Sequence, residues 1–301
     1  GYEYKDGVKT PCEGKLIYRG YEIRSLVENK AHMGFEETCF LLLFGWLPSA
    51  EQLKRFHELL TSAYELPHRF MEVNILPTHS SHLMNRLQQM VLALFDYDQD
   101  PEDTSPQNTL RQGIELLARM PALITSLFQV KQHHYDRQSL TIHYPQEELS
   151  IAENILYLLR EDKKFTELEA RALDAALILH ADHGSNNSTF TNHVVSSTGT
   201  DTYSAMAASL CALKGPRHGG ANIKVVEMMA DLKSHVDDPT DEGQVREYLQ
   251  AVLDKKALDG LGLIYGMGHA VYSLSDPRAE VLRGFVQDIS KEKGLNREMD
   301  M

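Results

Sequence analysis

At 301 residues, 42% hydrophobic and 24% charged, the chain has the composition of a folded globular protein, long enough for one large domain or two unequal ones. A net charge of −13 makes nucleic acid a poor partner, because polyanions are bound by clustered Lys and Arg. No stretch reaches the uninterrupted apolar length of a membrane-spanning helix, so no membrane partner is expected.

Strand-like alternation is confined to the first twenty residues, and helical periodicity dominates the rest. Ser49-Ala50-Glu51-Gln52 reads as a capping box, followed by an apolar stripe of Leu53, Phe56, Leu59 and Leu60. Asp96 to Pro106 reads as an acidic loop, and Lys131 to Pro145 as a second irregular connection. A helix opens at Thr166-Glu167-Leu168-Glu169, with Leu168, Ala172, Ala175, Ala176 and Leu179 expected to face the core. Another runs from Tyr203 to Leu213 and stops at Gly215-Pro216. Gln244–Leu253 and Ala279–Ile289 read as helices, the latter with Val281, Leu282, Phe285, Val286 and Ile289 along one side. The fold class is therefore mainly α, with too many helices for a four-helix bundle.

Cys12, Cys39 and Cys211 show no metal-ligand spacing and no disulfide framework, which fits a reducing, cytoplasmic compartment. No secretory leader is read, and Gly1 in place of Met reads as a trimmed start.

The chemistry is concentrated in three strings. Gly266-Met267-Gly268-His269-Ala270-Val271-Tyr272-Ser273-Leu274-Ser275-Asp276-Pro277-Arg278 sets a histidine on a glycine-flanked bend and an arginine nine residues later. Glycine permits close backbone approach, histidine moves protons near neutral pH, and arginine clamps carboxylates. Gly215-Pro216-Arg217-His218-Gly219-Gly220-Ala221-Asn222 repeats the bend, and its last residues are suited to opening a helix. Lys214, Arg217 and Lys224 bracket His218 and Arg278 and Arg283 follow His269, which concentrates cations locally on an otherwise acidic protein, although Lys224 and Arg283 read as solvated surface charges. Leu179-His180-Ala181-Asp182-His183-Gly184-Ser185-Asn186-Asn187-Ser188 places two histidines at i and i+3. Each has a plainer explanation: a capping histidine at His218, or an Arg278 paired to Asp276. His180 and His183 also suggest a metal pair, but no third ligand has convincing spacing, so no metal is assigned.

Together with Tyr18-Arg19-Gly20-Tyr21 and Phe40-Leu41-Leu42-Leu43-Phe44-Gly45, these strings resemble the citrate synthase family from about Tyr18 to Arg278. The resemblance implies a multi-helical fold with a large helical domain, 1–219, and a smaller one, 220–301, with a hinge near Gly219 or Gly220. It implies condensation of acetyl-CoA with oxaloacetate to citrate and CoA, or of propionyl-CoA to 2-methylcitrate. No cofactor is permanently bound on this reading, and acetyl-CoA is a co-substrate. His218 would stabilise the enol of the thioester, and His269 would polarise and protonate the oxaloacetate carbonyl. His183 and Arg278 would hold oxaloacetate carboxylates, with Asn187 nearby. Ile264, Tyr265, Gly266, Met267 and Gly268 would lie against the CoA adenine. The family also implies a homodimer.

Gly184 stands where many relatives carry an acid, and Arg217 where leucine is common. The family's carboxylate base belongs to an Asn-Val-Asp-like segment downstream of the His269 string, and no such segment appears before Met301. The expectation is a fragment of a longer enzyme, slowed by about 10² to 10⁴ for want of a general base, that binds oxaloacetate weakly. Two other classes fit the same residues: a metal-dependent hydrolase on His180 and His183, and a non-catalytic relative that binds oxaloacetate or CoA.

Overall fold

A computed structural model describes residues 2–28, 34–267 and 272–295. Two short antiparallel hairpins open the chain: β1 (Tyr2–Lys5) with β2 (Val8–Pro11), then β3 (Ile17–Tyr18) with β4 (Tyr21–Glu22). Helices follow: α1 (Ile23–Val27), α2 (Gly34–Phe44), α3 (Ala50–Thr61), α4 (Leu83–Ala93), α5 (Pro106–Tyr135), α6 (Ile151–Leu159), α7 (Glu167–His180), α8 (Asn187–Ser196), α9 (Thr202–Leu213), α10 (Ala221–His235), α11 (Glu242–Leu253) and α12 (Pro277–Lys293). A π-helical turn, Met71–Ile75, lies between α3 and α4. The mainly α expectation holds.

The chain divides into two compact units, Leu16–Lys214 and Gly1–Lys15 with Gly215–Met301. This division groups the first fifteen residues and the 215–219 turn with the smaller unit, whereas the expected domains split at 219.

In the larger unit, α4, α5 and α9 enclose a core of Leu87, Met90, Val91, Leu116, Leu123, Leu127, Tyr203 and Leu210, joined by Phe70 and Ile75. Helix starts are set locally. Ser49 with Gln52, Ser150 with Glu153 and Thr166 with Glu169 each form a complete capping box, in which side chains satisfy N–H groups that the helix leaves unbonded. In the smaller unit, Leu232 and Val236 meet Tyr248 and Val252, which packs α10 on α11. The Tyr248 hydroxyl donates to Asp231 Oδ2 at 2.6 Å and ties the pair.

Several expectations need correction. The stretch from Lys131 is helical to Tyr135, because α5 runs thirty residues despite an interior Pro121. A window of α5 is long and apolar enough to cross a membrane by length and composition, but 61% of it is buried inside this unit, the signature of a core helix. The last helix is longer than Ala279–Ile289, capped by Asp276 and ended by Gly294 at φ 68°. Its Val286 is exposed at 49%. On α7 the buried face is Glu169, Ala170, Ala175, Ile178 and Leu179, while Leu168, Ala172 and Ala176 are only half-buried. The face turns because Arg160 neutralises Glu169 in a two-point ion pair, Nη1–Oε2 2.6 Å and Nη2–Oε1 2.9 Å, so a carboxylate can point inward.

Candidate functional site

The proposed site residues fall on both units, and each unit is described by itself. In the larger unit, α7 ends at His180, and residues 181–186 make a tight connection into α8. Gly184 turns the chain at φ 69°, where a side chain would be strained, and its N–H donates to Asp182 Oδ1 at 3.0 Å. The Asn186 N–H donates to the Gly184 carbonyl at 2.8 Å, and the Asn186 side chain then caps α8 by accepting from the Thr189 N–H at 3.0 Å. His183 lies half-buried in this connection, and Asn187 is exposed in the first turn of α8.

A buried tyrosine fixes the same connection. Tyr18 is 1% exposed. Its hydroxyl donates to the Ile178 carbonyl at 3.0 Å and accepts from the Asp182 N–H at 3.1 Å. It projects from the β3–β4 hairpin, whose turn residues Arg19 and Gly20 both have positive φ (48° and 95°), as a tight two-residue hairpin turn requires. Arg19 Nη2 in turn donates to the Leu42 carbonyl in the last turn of α2 at 3.0 Å, where a cation suits the helix dipole. In the sequence Tyr18 stands out only as part of the Tyr18-Arg19-Gly20-Tyr21 motif. The usable signal was chemical: a buried tyrosine must find a partner for its hydroxyl.

In the smaller unit, His218 is half-buried in the turn that precedes α10. The turn is closed by backbone bonds, from the His218 N–H to the Gly215 carbonyl (2.9 Å) and from the Ala221 N–H to the His218 carbonyl (3.2 Å). The helix expected after Gly219-Gly220 does open there, with Gly220 as a cap that offers no side chain. Lys224, expected to be a surface charge, pairs with Glu227 at 2.9 Å.

Ile264 and Tyr265 are half-buried, while Gly266 and Met267 are exposed, Met267 at 76%. Gly266, at φ 81°, packs against Val225 of α10 so closely that a Cβ there would lie 3.2 Å from a valine methyl. The Tyr265 hydroxyl donates to Asp259 Oδ2 at 2.5 Å, which holds the Asp259 carboxyl below the usual carboxylate range and raises the tyrosine. Gly268 and His269 lie outside the described residues.

Arg278 stands in the first turn of α12, and its guanidinium meets Asp276 through Nε–Oδ1 (3.1 Å) and Nη2–Oδ2 (2.7 Å). The plainer explanation weighed for Arg278 therefore describes its geometry here. The segment ahead of α12 is held by the amino-terminal strand region of the same unit. Gly14 lies where a Cβ would collide with the Ser275 carbonyl and the Tyr272 ring, and Ser273 Oγ donates to the Cys12 carbonyl at 3.4 Å.

His183 lies beyond the end of α7, so it shares no helical face with His180, whose Nδ1 is 2.6 Å from the Ala176 carbonyl. Among the described residues no group of three or more His, Cys, Asp or Glu is placed to hold a metal ion.

A family model described as "Citrate synthase, C-terminal domain" matches residues 5–301. Citrate synthase of Acidithiobacillus ferridurans is 34% identical over 287 residues, covering 94% of this chain and 69% of the relative. The crystal structure of citrate synthase from Pyrobaculum aerophilum superposes with a TM-score of 0.79 at 30% identity, over 94% of this chain and 67% of the other. Citrate synthase from Thermoplasma acidophilum, solved as a ternary complex with carboxymethyl coenzyme A and oxaloacetate, gives a TM-score of 0.79 at 25% identity, over 97% and 72%.

Proposed function

Because this chain belongs to the citrate synthase family, we propose that it acts in the condensation of acetyl-CoA with oxaloacetate to give citrate and CoA. The observation that carries the reading is that the family match spans residues 5–301 and so takes in all three histidine strings.

The chemistry assigns each residue a task. The thioester methyl is a weak carbon acid, so its deprotonation needs a donor at the developing enolate oxygen. We assign this to His218, in the turn that opens α10, whose ring N–H can donate to that oxygen. His269 polarises the ketone of oxaloacetate and protonates it as the carbon–carbon bond forms, giving a citryl thioester whose C–S bond water then hydrolyses to citrate and CoA. His183 and Arg278 hold the carboxylates, with Asn187 alongside. Asp276 fixes the rotamer of Arg278, so an incoming carboxylate meets an oriented guanidinium. Ile264 to Gly268 receive the CoA adenine, with glycines keeping the approach open. The reading includes a cytoplasmic homodimer with a large and a small domain that hinge near Gly219–Gly220. No carboxylate of the chain is assigned as the base, so the methyl proton passes to solvent water, at a cost of about 10² to 10⁴ in rate.

The test is to mix the protein with oxaloacetate and acetyl-CoA, with propionyl-CoA in parallel, and follow CoA thiol release and the product by mass spectrometry. Citrate formed only with both substrates, and lost in His218→Ala and His269→Ala, supports the proposal. No citrate at high protein concentration, or thiol release indifferent to oxaloacetate or to either histidine, contradicts it. A 2-methylcitrate product with propionyl-CoA alone replaces the acyl donor and leaves the residue roles intact.

A further inference from the structure

We propose that Tyr18 is a positioning residue for His183: its hydroxyl sets the path of the backbone between the end of α7 and that imidazole. The functional half of this inference rests on the reading of His183 as an oxaloacetate-binding residue.

A helix leaves its last carbonyls without intrahelical donors, and a chain leaving a helix also strands N–H groups. Here the Ile178 carbonyl accepts from the Ala181 N–H at 3.2 Å and from the Tyr18 hydroxyl at 3.0 Å. The same hydroxyl accepts the Asp182 N–H at 3.1 Å. One phenol oxygen thus bridges the two sides of the turn from 178 to 182, and His183 is the next residue. Below it, the Asp182 carboxylate holds the Gly184 N–H, so His183 sits between two fixed points.

The phenol is itself held in place. Tyr18 is fully buried, its hairpin has a two-residue turn, Arg19 ties that turn to α2, and the Ile23 N–H donates to the Leu16 carbonyl at 3.0 Å. A side chain on such a platform can dictate the geometry of a connection 160 residues away in sequence. A tyrosine needed only to fill space would do so equally well as phenylalanine. The hydroxyl, with both its donor and its acceptor function used on one short segment, is what distinguishes this site.

The experiment compares Tyr18→Phe with Tyr64→Phe in the 301-residue protein. Tyr64 is also buried and its hydroxyl also donates to a carbonyl, that of Leu149 at 3.3 Å, in a segment remote in sequence from His183. Three quantities are measured: hydrogen exchange of the Asp182 amide, the ¹⁵N resonances of the His183 ring, and oxaloacetate affinity. For Tyr18→Phe we expect about tenfold faster exchange at Asp182 and about tenfold weaker oxaloacetate binding, the scale of one lost buried hydrogen bond, with a shifted His183 ring signal. For Tyr64→Phe all three stay at wild-type values. Wild-type exchange and ring signal in Tyr18→Phe, or equal changes in both variants, overturn the proposal. If wild-type protein binds no oxaloacetate, the functional reading of His183 fails, and the exchange and ring signals alone decide whether Tyr18 positions it. If Tyr18→Phe does not fold, 3-fluorotyrosine in place of Tyr18 retains ring and hydroxyl while changing its acidity; a His183 signal that fails to respond then overturns the proposal.

Discussion

Arg278 lies on Asp276 so that one carboxylate meets the guanidinium twice, at 3.1 and 2.7 Å, and also accepts the Arg278 backbone N–H at 2.9 Å. Asp276 is the N-cap of α12, so a single residue starts the helix and sets the arginine's direction. We predict that Arg278→Ala weakens oxaloacetate binding by about ten- to a hundredfold, the effect of a lost charged hydrogen-bonded pair. Arg278→Lys should lose most of this as well, because an ammonium lacks the planar fork. Calorimetric titration of both variants checks this, and affinity that survives Arg278→Ala contradicts the assigned clamp.

Glu36 is fully buried on α2, with Oε1 2.6 Å from the Ile151 N–H at the start of α6 and no partner for Oε2 among the described residues. Burial raises its carboxyl to about 7, reinforced by Asp174 and Glu153 and opposed by the Ile151 N–H. In the unfolded chain it titrates near the ordinary glutamate value of about 4.3. Between those values the folded state binds more protons than the unfolded one, so stability falls as pH rises from about 4.5 to 7 and then levels off. The loss is on the order of 3 kcal/mol. Urea unfolding at pH 5 to 8 should show Glu36→Gln gaining on wild type by about that amount across the interval. Parallel curves for the two proteins would refute the assignment.

Asp98 behaves in the opposite sense. Burial pushes its carboxyl up, but hydrogen bonds from Tyr203, the Asp100 N–H, Gln112 and Arg111 outweigh burial and hold it at about 2. The Tyr203 hydroxyl is 2.7 Å away and Arg111 Nη2 2.6 Å, and the Asp98 side chain is 1% exposed. Its stabilisation is present above about pH 4 and is lost as pH falls toward 2. We predict that Asp98→Asn costs about 2 kcal/mol at pH 7, moderated by the partial exposure of Arg111, and progressively less at pH 3. Equal unfolding midpoints at pH 7 would count against this network.

With His180 turned to the Ala176 carbonyl and His183 beyond the helix end, the proposed citrate formation should not depend on a metal. Dialysis against a strong chelator is predicted to leave citrate formation unchanged and elemental analysis to find no stoichiometric metal. Loss of activity restored by zinc would revive the hydrolase-type geometry.

The legible parts of the sequence were those governed by neighbours in the chain. Ser49 and Thr166 announce their helices because the cap and its reciprocal residue lie three apart. Gly215-Pro216 announces a stop for the same local reason. Helix α5 has no counterpart among the expected elements, and its interior Pro121 removes a helix hydrogen bond; the helix continues because its apolar residues, Pro121 among them, are buried against α4, α6 and α9. The inward turn of Glu169 depends on Arg160, and the hold on His183 depends on Tyr18, 160 residues from its Ile178 partner. The histidine strings stood out by residue type alone, whereas the groups that aim them are recognised only once the chain is folded.

His183, His218 and His269 are proposed to serve one reaction, His183 and His269 on oxaloacetate and His218 on the acyl thioester. The most direct measurement is an oxaloacetate titration followed by the ¹⁵N resonances of all fourteen histidine rings, assigned by substitution. In that titration the His183 and His269 rings shift together with one midpoint, the His218 ring shifts on later addition of acetyl-CoA, and rings such as His133 and His235 stay still. His183 and His269 rings that stay still or move with separate midpoints, or a His218 ring indifferent to acetyl-CoA, would overturn it.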